Sequence, residues 1–211
     1  MIAMHKKSAD DIMERLPRVH VDSLYLPHKK YPSYKLISIY AAIGDITLPG
    51  DYAEFGVYKG RTARFMSHFV FRSASRLLHL FDSFEGLPED WVGHWKKGHF
   101  DLKGKIPEFD PNITRIYKGW FRDTVPPFAE ALEQPLAFIH MDADLYQSTR
   151  DVLDPLNGKI APGTVILFDE YVMQEQDDEH RALWDWAERY GRKFEYLWRT
   201  RHVQVAVRIT Q

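Results

Sequence analysis

The sequence predicts a doubly wound α/β sandwich, a three-layer fold in which helices cover both faces of a mostly parallel sheet. Unbroken apolar runs over 136–141 and 163–168 are typical of strands buried on both faces. Helical patterns separate the runs, as the crossovers of a parallel sheet require. Because ligands bind at the carboxyl ends of such strands, the residues that follow each strand are the functional candidates.

Composition limits the function classes. The 211 residues are 45% hydrophobic and carry a formal net charge of −2, so a basic footprint for nucleic acid is lacking. The sequence has no cysteine, which excludes a disulfide scaffold and a thiol nucleophile. Apolar runs of about 18 residues and a signal-peptide pattern are also lacking, so we expect a cytoplasmic location and no membrane partner.

Residues 1–47 are predicted to form a helical arm ahead of the sheet. A short helix is expected over 8–16 with Ser8 as its cap, and three prolines follow it. Apolar residues at nearly helical spacing predict a second helix over 34–46.

Residues 48–211 are predicted to form the domain that carries the sheet. Apolar runs indicate strands, whereas apolar residues three or four positions apart indicate helices. Strands are expected over 51–57, 76–81, 113–117, 136–141 and 163–168. Helices are expected over 60–71, 128–132, 147–156 and 179–190, and a polar, aromatic loop over 84–111. The last two segments, 194–199 and 203–209, predict a terminal antiparallel pair.

The segment Glu-Phe-Gly-Val-Tyr-Lys-Gly (54–60) joins the first strand to the next helix. Gly56 permits a ligand to approach the backbone closely, and the helix that opens near Gly60 favours a carboxylate or phosphate. A plain strand-to-helix turn is the alternative. The middle glycine of the dinucleotide fingerprint is lacking, which argues against a nicotinamide cofactor.

Acidic residues follow three of the predicted strands. Asp82 stands where an acid binds the ribose hydroxyls of a nucleoside, although it could instead cap the next segment. Asp142, Asp169 and Glu170 are expected on one rim, where ionised carboxylates repel unless a cation such as Mg²⁺ or Ca²⁺ binds them. Separate caps, or a salt bridge to Arg150, are the alternative.

Other polar residues near the strand ends allow two interpretations each. Asp144 is expected to cap the helix that follows it, and His140 is either structural or catalytic. In the long loop, His94 and His99, together with two tryptophans (Trp91 and Trp95), predict either a lid over an acceptor or a solvated loop with aromatic anchors.

Together these segments resemble the macrocin O-methyltransferase family of S-adenosylmethionine-dependent sugar methyltransferases. The matching stretches are EFGVYKG (54–60), FDSFEGLPE (81–89), KGWFRDTVP (118–126), HMDADLYQST (140–149) and FDEY (168–171). The resemblance implies a class I methyltransferase fold, a seven-stranded Rossmann-like sheet that ends in an antiparallel hairpin. It also implies a homo-oligomer.

The same resemblance implies the cofactors and the residues that hold them. S-adenosylmethionine is expected at Glu54, Gly56, Tyr58, Gly60, Thr62, Asp82, Ser83 and Trp120. Mg²⁺ is expected at Asp142, Asp169 and Glu170, although the family commonly has aspartate at the last of these positions. Tyr58 is expected near the methionine end of the cofactor.

The resulting hypothesis is methyl transfer to a hydroxyl of a sugar or related diol, with Asp142 as general base and His140 or Asp144 as alternatives. The acceptor, a small molecule or a glycan, stays open between a macrolide sugar, a polysaccharide residue, a lipid-linked glycan and a catechol-like compound. Two other classes also remain. A metal-dependent glycosyltransferase would use the Asp142-Ala143-Asp144 pattern. A non-catalytic cofactor-binding module would leave the buried carboxylates without a use.

Overall fold

The computed structural model describes residues 34–71, 76–172, 176–200 and 203–211. The strands are β1 (Tyr52–Phe55), β2 (Leu78–Asp82), β3 (Thr114–Lys118), β4 (Phe138–Met141), β5 (Val165–Phe168), β6 (Phe194–Arg199) and β7 (Val205–Ile209). The α-helices are α1 (Tyr34–Gly44), α2 (Arg61–Phe71), α3 (Phe121–Ala131), α4 (Tyr146–Leu153) and α5 (Asp178–Tyr190). The helix predicted over 8–16 and its Ser8 cap lie outside the described residues.

One seven-stranded sheet forms the centre of the fold, in the order β3-β2-β1-β4-β5-β7-β6. The first five strands in this order are parallel, and β7 runs antiparallel to both β5 and β6. The predicted fold class and the terminal antiparallel pair are therefore confirmed. The chain order reverses between β1 and β4, and such a switch point is where open α/β sheets bind ligands.

Alternating residues of the strands build two cores, one on each face of the sheet. Tyr52, Phe138 and Leu167 belong to the core under α1 and α2. Phe55 and Ile139 belong to the core under α3, α4 and α5. Since β1, β4 and β5 are buried on both faces, they need the mostly apolar runs from which they were predicted.

The helix predicted over 128–132 proves to be the 11-residue helix α3, which begins at Phe121. Pro126 and Pro127 lie inside it, and a proline pair normally indicates a helix boundary because it removes two backbone donors. Val125 and Phe128 are buried against the sheet, and this packing outweighs the local penalty.

The helix predicted over 147–156 ends earlier, at Leu153, and a 3₁₀ turn over Pro155–Gly158 continues the chain. Within the described ranges, every helix is too short or too polar to cross a membrane.

Candidate functional site

A cavity of about 550 Å³ opens at the carboxyl ends of the central strands. On one side it is lined by the turn after β1 and by residues that follow β2 and β3. On the other side it is lined by acidic residues that follow β4 and β5. The cavity thus lies at the switch point between β1 and β4, where the topology predicts a ligand.

Asp82, at the end of β2, fixes the turn after β1. Its Oδ2 accepts hydrogen bonds from the backbone N–H groups of Val57 (2.8 Å) and Tyr58 (2.7 Å). Its Oδ1 accepts one from the N–H of Phe84 at 2.6 Å. A carboxylate offers about four acceptor sites, so roughly one remains for a ligand that enters the cavity.

Gly56 is required for a different reason from the one that the sequence suggested. Its φ is +95°, and a Cβ at this position would lie 1.9 Å from the backbone oxygen of Asp142. The glycine therefore lets the turn after β1 touch the segment after β4, which brings the two sides of the cavity together.

The predicted cofactor residues divide into two groups. Five of them line the cavity, namely Gly56, Tyr58, Asp82, Ser83 and Trp120. The other three, Glu54, Gly60 and Thr62, are not among the residues that line it. For all eight residues, binding of S-adenosylmethionine stays a prediction.

The carboxylates after β4 and β5 converge as the sequence predicted. Asp142, Asp144 and Glu170 each place one oxygen within 4.8 Å of the others. Asp169 is fully buried beside them and contacts the same lysine as Asp142 and Glu170. Oε2 of Glu170 is buried without a hydrogen-bond donor among the described residues.

That lysine is Lys35 of α1, which no sequence pattern indicated. Its Nζ lies 3.2 Å from both carboxylate oxygens of Asp142, 3.3 Å from Oε1 of Glu170 and against Oδ2 of Asp169. Burial works to lower the pKa of Lys35, but the three carboxylates together raise it well above its usual range. Lys35 therefore supplies a positive charge among these carboxylates.

His140 forms a buried bridge behind the acids. Its Nδ1 lies 2.9 Å from Oε1 of Glu54, and its Nε2 lies 3.8 Å from Oδ1 of Asp169. Burial works to lower its pKa, but Asp169 and Glu54 outweigh burial and raise the pKa to about 10. His140 thus bridges two buried carboxyl groups that favour its protonated form, and it is not among the residues that line the cavity.

Glu179, on α5, connects the two loops that carry the acids. Its Oε1 accepts a hydrogen bond from the N–H of Ala143 at 3.4 Å, and its Oε2 accepts one from the N–H of Glu170 at 3.1 Å. Burial, and then Asp144, raise its pKa well above the usual range. In the sequence Glu179 looks like an ordinary acid in the first turn of a helix, so this role was missed.

The structure decides against the alternative that paired Arg150 with the acids and against the cap predicted at Asp144. Arg150 does not neutralise the acid cluster, because its guanidinium bonds Asp154 one helical turn later, at 2.8 Å. Asp144 does not cap α4. The residue that directly precedes α4 is Leu145, and no side chain caps the amino end of this helix. Asp144 itself has a φ of +63°.

Aromatic residues of the long loop form one wall of the cavity. Trp91, Trp95 and Phe100 line it, and the rings of Trp95 and Phe100 stack with centroids 5.0 Å apart. His94 and His99 contact the Trp95 ring from outside this lining and are exposed. The indoles therefore face the cavity as the lid hypothesis requires, whereas the two histidines do not.

Comparison with known proteins gives a match to one family. The profile of the Macrocin-O-methyltransferase (TylF) family matches residues 34–188. A similar protein, 32% identical over 68% of this chain, is the 8-demethyl-8-(2,3-dimethoxy-alpha-L-rhamnosyl)-tetracenomycin-C 4'-O-methyltransferase of Streptomyces olivaceus. Another, 29% identical over 67% of the chain, is the demethyldecarbamoylnovobiocin O-methyltransferase of Streptomyces niveus. The alignments span 60% and 62% of these two relatives, less than two thirds of their length.

Two solved structures have the same fold. The O-methyltransferase NovP is 24% identical, with a TM-score of 0.66, over 84% of this chain and 78% of its own. The calicheamicin methyltransferase CalS11 is 22% identical, with a TM-score of 0.67, over 82% of this chain and 77% of its own. At these identities the likeness shows the class I methyltransferase fold and nothing about the ligand.

Proposed function

Because the chain belongs to the macrocin O-methyltransferase family, we propose that it transfers a methyl group from S-adenosylmethionine to a hydroxyl of a sugar or related diol. The names of the two curated relatives support this reaction. The observation that carries the proposal is the cavity at the switch point, which has a glycine turn and Asp82 on one side and converging carboxylates on the other.

We assign the cofactor to the side of the cavity near β1 and β2. Asp82 has acceptor capacity left for one ribose hydroxyl, and Trp120 supplies an aromatic surface beside it. When bound, S-adenosylmethionine supplies an electrophilic methyl group on a positively charged sulfur. Tyr58 lines the same side and is our candidate for the methionine end.

We assign Mg²⁺ to Asp142, Asp169 and Glu170, with Asp144 beside them. The fit rests on three features. The donors are all oxygens, and those of Asp142, Asp144 and Glu170 converge while Asp169 shares the contact to Lys35 with Asp142 and Glu170. One oxygen of Glu170 is also buried without a donor in the described part of the chain. When bound, such a cation lowers the pKa of an acceptor hydroxyl and fixes its direction.

Asp142 is our candidate for the general base, and Asp144 is the alternative. Both line the cavity, whereas His140 faces carboxylates with both of its ring nitrogens. The aromatic wall of Trp95 and Phe100 would exclude water from the reacting atoms. Transfer also needs the attacking oxygen to lie about 3–3.5 Å from the methyl carbon, so alignment supplies much of the rate.

Asp142→Asn tests the assignment, with Asp123→Asn as a matched control because Asp123 is exposed on α3. We expect Asp142→Asn to reduce turnover by about 10²–10⁴-fold. Its affinity for S-adenosylhomocysteine, measured by calorimetry, should stay close to wild type. Turnover is measured as S-adenosylhomocysteine release with a panel of rhamnosides and other vicinal diols.

Wild-type turnover in Asp142→Asn would remove Asp142 as base. Competition binding tests the class of enzyme. S-adenosylhomocysteine should bind, and a nucleotide-sugar that displaces it would favour the glycosyltransferase instead. The homo-oligomer stays a prediction, which light scattering tests.

A further inference from the structure

Lys35 occupies the centre of the acid cluster although it lies far from the cluster in sequence. It stands in the first turn of α1, whereas the acids follow β4 and β5. An ammonium group has three N–H donors, and here three carboxylates face it: Asp142, Asp169 and Glu170. These are also the three residues assigned to Mg²⁺ above.

The ammonium group and a metal ion would compete for the same three carboxylates, and the ammonium group already contacts both oxygens of Asp142. A divalent cation binds carboxylate oxygens at about 2.0–2.6 Å, which leaves no room for an ammonium group among the same atoms. The two positive charges would also repel each other strongly at this separation. The ammonium group and the metal ion therefore cannot occupy the acid cluster at the same time.

We infer that Lys35 is a tethered counter-ion that a divalent cation must displace, an inference that rests on the proposed cation site. Before the metal enters, the lysine supplies one positive charge among the three carboxylates and so reduces their mutual repulsion. Entry of the metal then moves the ammonium group out of the cluster.

The structure gives Lys35 a way out. Its side chain is 37% exposed and lines the cavity, so it reaches the cluster from the open side. The side chain has four rotatable bonds, and its withdrawal requires no movement of the sheet. The displaced ammonium group would then stand in the cavity, where it would face an acceptor.

Metal affinity provides the first test, with Mn²⁺ as the probe and calorimetry as the measurement. Lys35→Met keeps an unbranched side chain one atom shorter than lysine and removes its charge. Lys193→Met is the control, because Lys193 is exposed, immediately precedes β6 and does not line the cavity. If the Lys35 ammonium group of the wild type is outside the acid cluster about a tenth of the time, Lys35→Met should bind Mn²⁺ about tenfold more tightly than wild type. Equal affinities of wild type and Lys35→Met would overturn the inference.

Chemical labelling provides the second test. Acetic anhydride modifies accessible amines, and mass spectrometry reports the extent for each lysine. Saturating Mn²⁺ should increase the labelling of Lys35 several-fold in the wild type but not in Asp142→Asn, and should leave Lys193 unchanged. If saturating Mn²⁺ leaves the labelling of Lys35 unchanged, the inference is wrong.

The two tests are independent of methyl transfer. If neither wild type nor Lys35→Met binds Mn²⁺ while S-adenosylhomocysteine binds and transfer proceeds, the inference fails and the methyltransferase proposal stands without its metal. If Mn²⁺ displaces Lys35 but S-adenosylhomocysteine does not bind, the inference stands and the proposed reaction fails.

Discussion

His140→Asn removes the positive charge that lies between the carboxyl groups of Glu54 and Asp169 in the described core of the sheet. His140 is fully buried, as are both carboxylates. Asparagine is smaller and donates a hydrogen bond, but it has no positive charge. In His140→Asn the two carboxylates would therefore be buried without the cation that now lies between them.

The size of the effect follows from the pKa of His140, which rises from 6.5 to about 10. At about 1.36 kcal/mol per pKa unit, the difference corresponds to roughly 5 kcal/mol in favour of the charged, folded form. Removal of one partner from a buried ion pair costs about 3–5 kcal/mol in other proteins. We expect His140→Asn to lower the free energy of unfolding by about 3–5 kcal/mol.

Urea denaturation at pH 7, followed by tryptophan fluorescence, measures this loss, with His68→Asn as control because His68 is exposed on α2. The pH dependence provides a second measurement. Because the folded-state pKa is raised, the stabilisation by His140 is complete below pH 6.5 and is lost as the pH approaches about 10. Between pH 7 and pH 10, wild type should therefore lose more stability than His140→Asn. A loss under about 1 kcal/mol at pH 7 would show that the bridge is not a stabilising ion pair.

Three further substitutions test residues that line the cavity or hold its acidic loops in place. Gly56→Ala should lower the free energy of unfolding by at least about 1–3 kcal/mol, since Gly56 has a φ of +95° and the Cβ of alanine would clash with the backbone of Asp142. Wild-type stability of Gly56→Ala in urea would contradict this. Glu179→Gln should weaken Mn²⁺ binding about 10–100-fold by calorimetry, because Glu179 holds the two loops that carry the acids. The exposed control Glu130→Gln should bind Mn²⁺ like the wild type. Equal Mn²⁺ affinities of Glu179→Gln and wild type would show that Glu179 does not position the acids. Trp95→Ala should raise the KM for the acceptor about tenfold in steady-state kinetics, with unchanged affinity for S-adenosylhomocysteine, and an unchanged KM would remove Trp95 from the acceptor wall.

The sheet could be predicted because its central strands are buried on both faces and are therefore mostly apolar. The acids could be predicted because the carboxyl ends of parallel strands meet at one edge, which places Asp142 beside Asp169 and Glu170. Local rules failed where packing overrides them. The proline pair inside α3 is a local signal for a boundary, yet the helix continues through it because Val125 and Phe128 are buried against the sheet.

Lys35 and Glu179 could not be predicted because their roles depend on contacts between distant segments. A lysine or glutamate in the first turn of an amphipathic helix normally faces solvent, and its sequence gives no sign of another role. Both residues are charged groups whose partners come from loops after β4 and β5. Only the packing of the helices against the sheet determines that these partners exist.

The pleat of the sheet explains why α1, and not another helix, supplies the counter-ion. In β4, Phe138 faces the core under α1, and in β5 so do Val165 and Leu167. Asp142 and Asp169 continue this alternation, because their N–H groups extend the ladder by bonding the carbonyl oxygens of Phe55 and Met141.

Both acids therefore point toward the face of the sheet on which α1 packs. A shift of β4 or β5 by one residue would turn Asp142 or Asp169, respectively, toward the opposite face of the sheet, out of reach of Lys35. The register of β1, β4 and β5 thus determines at once that His140 meets Glu54 and that the carboxylates meet a cation.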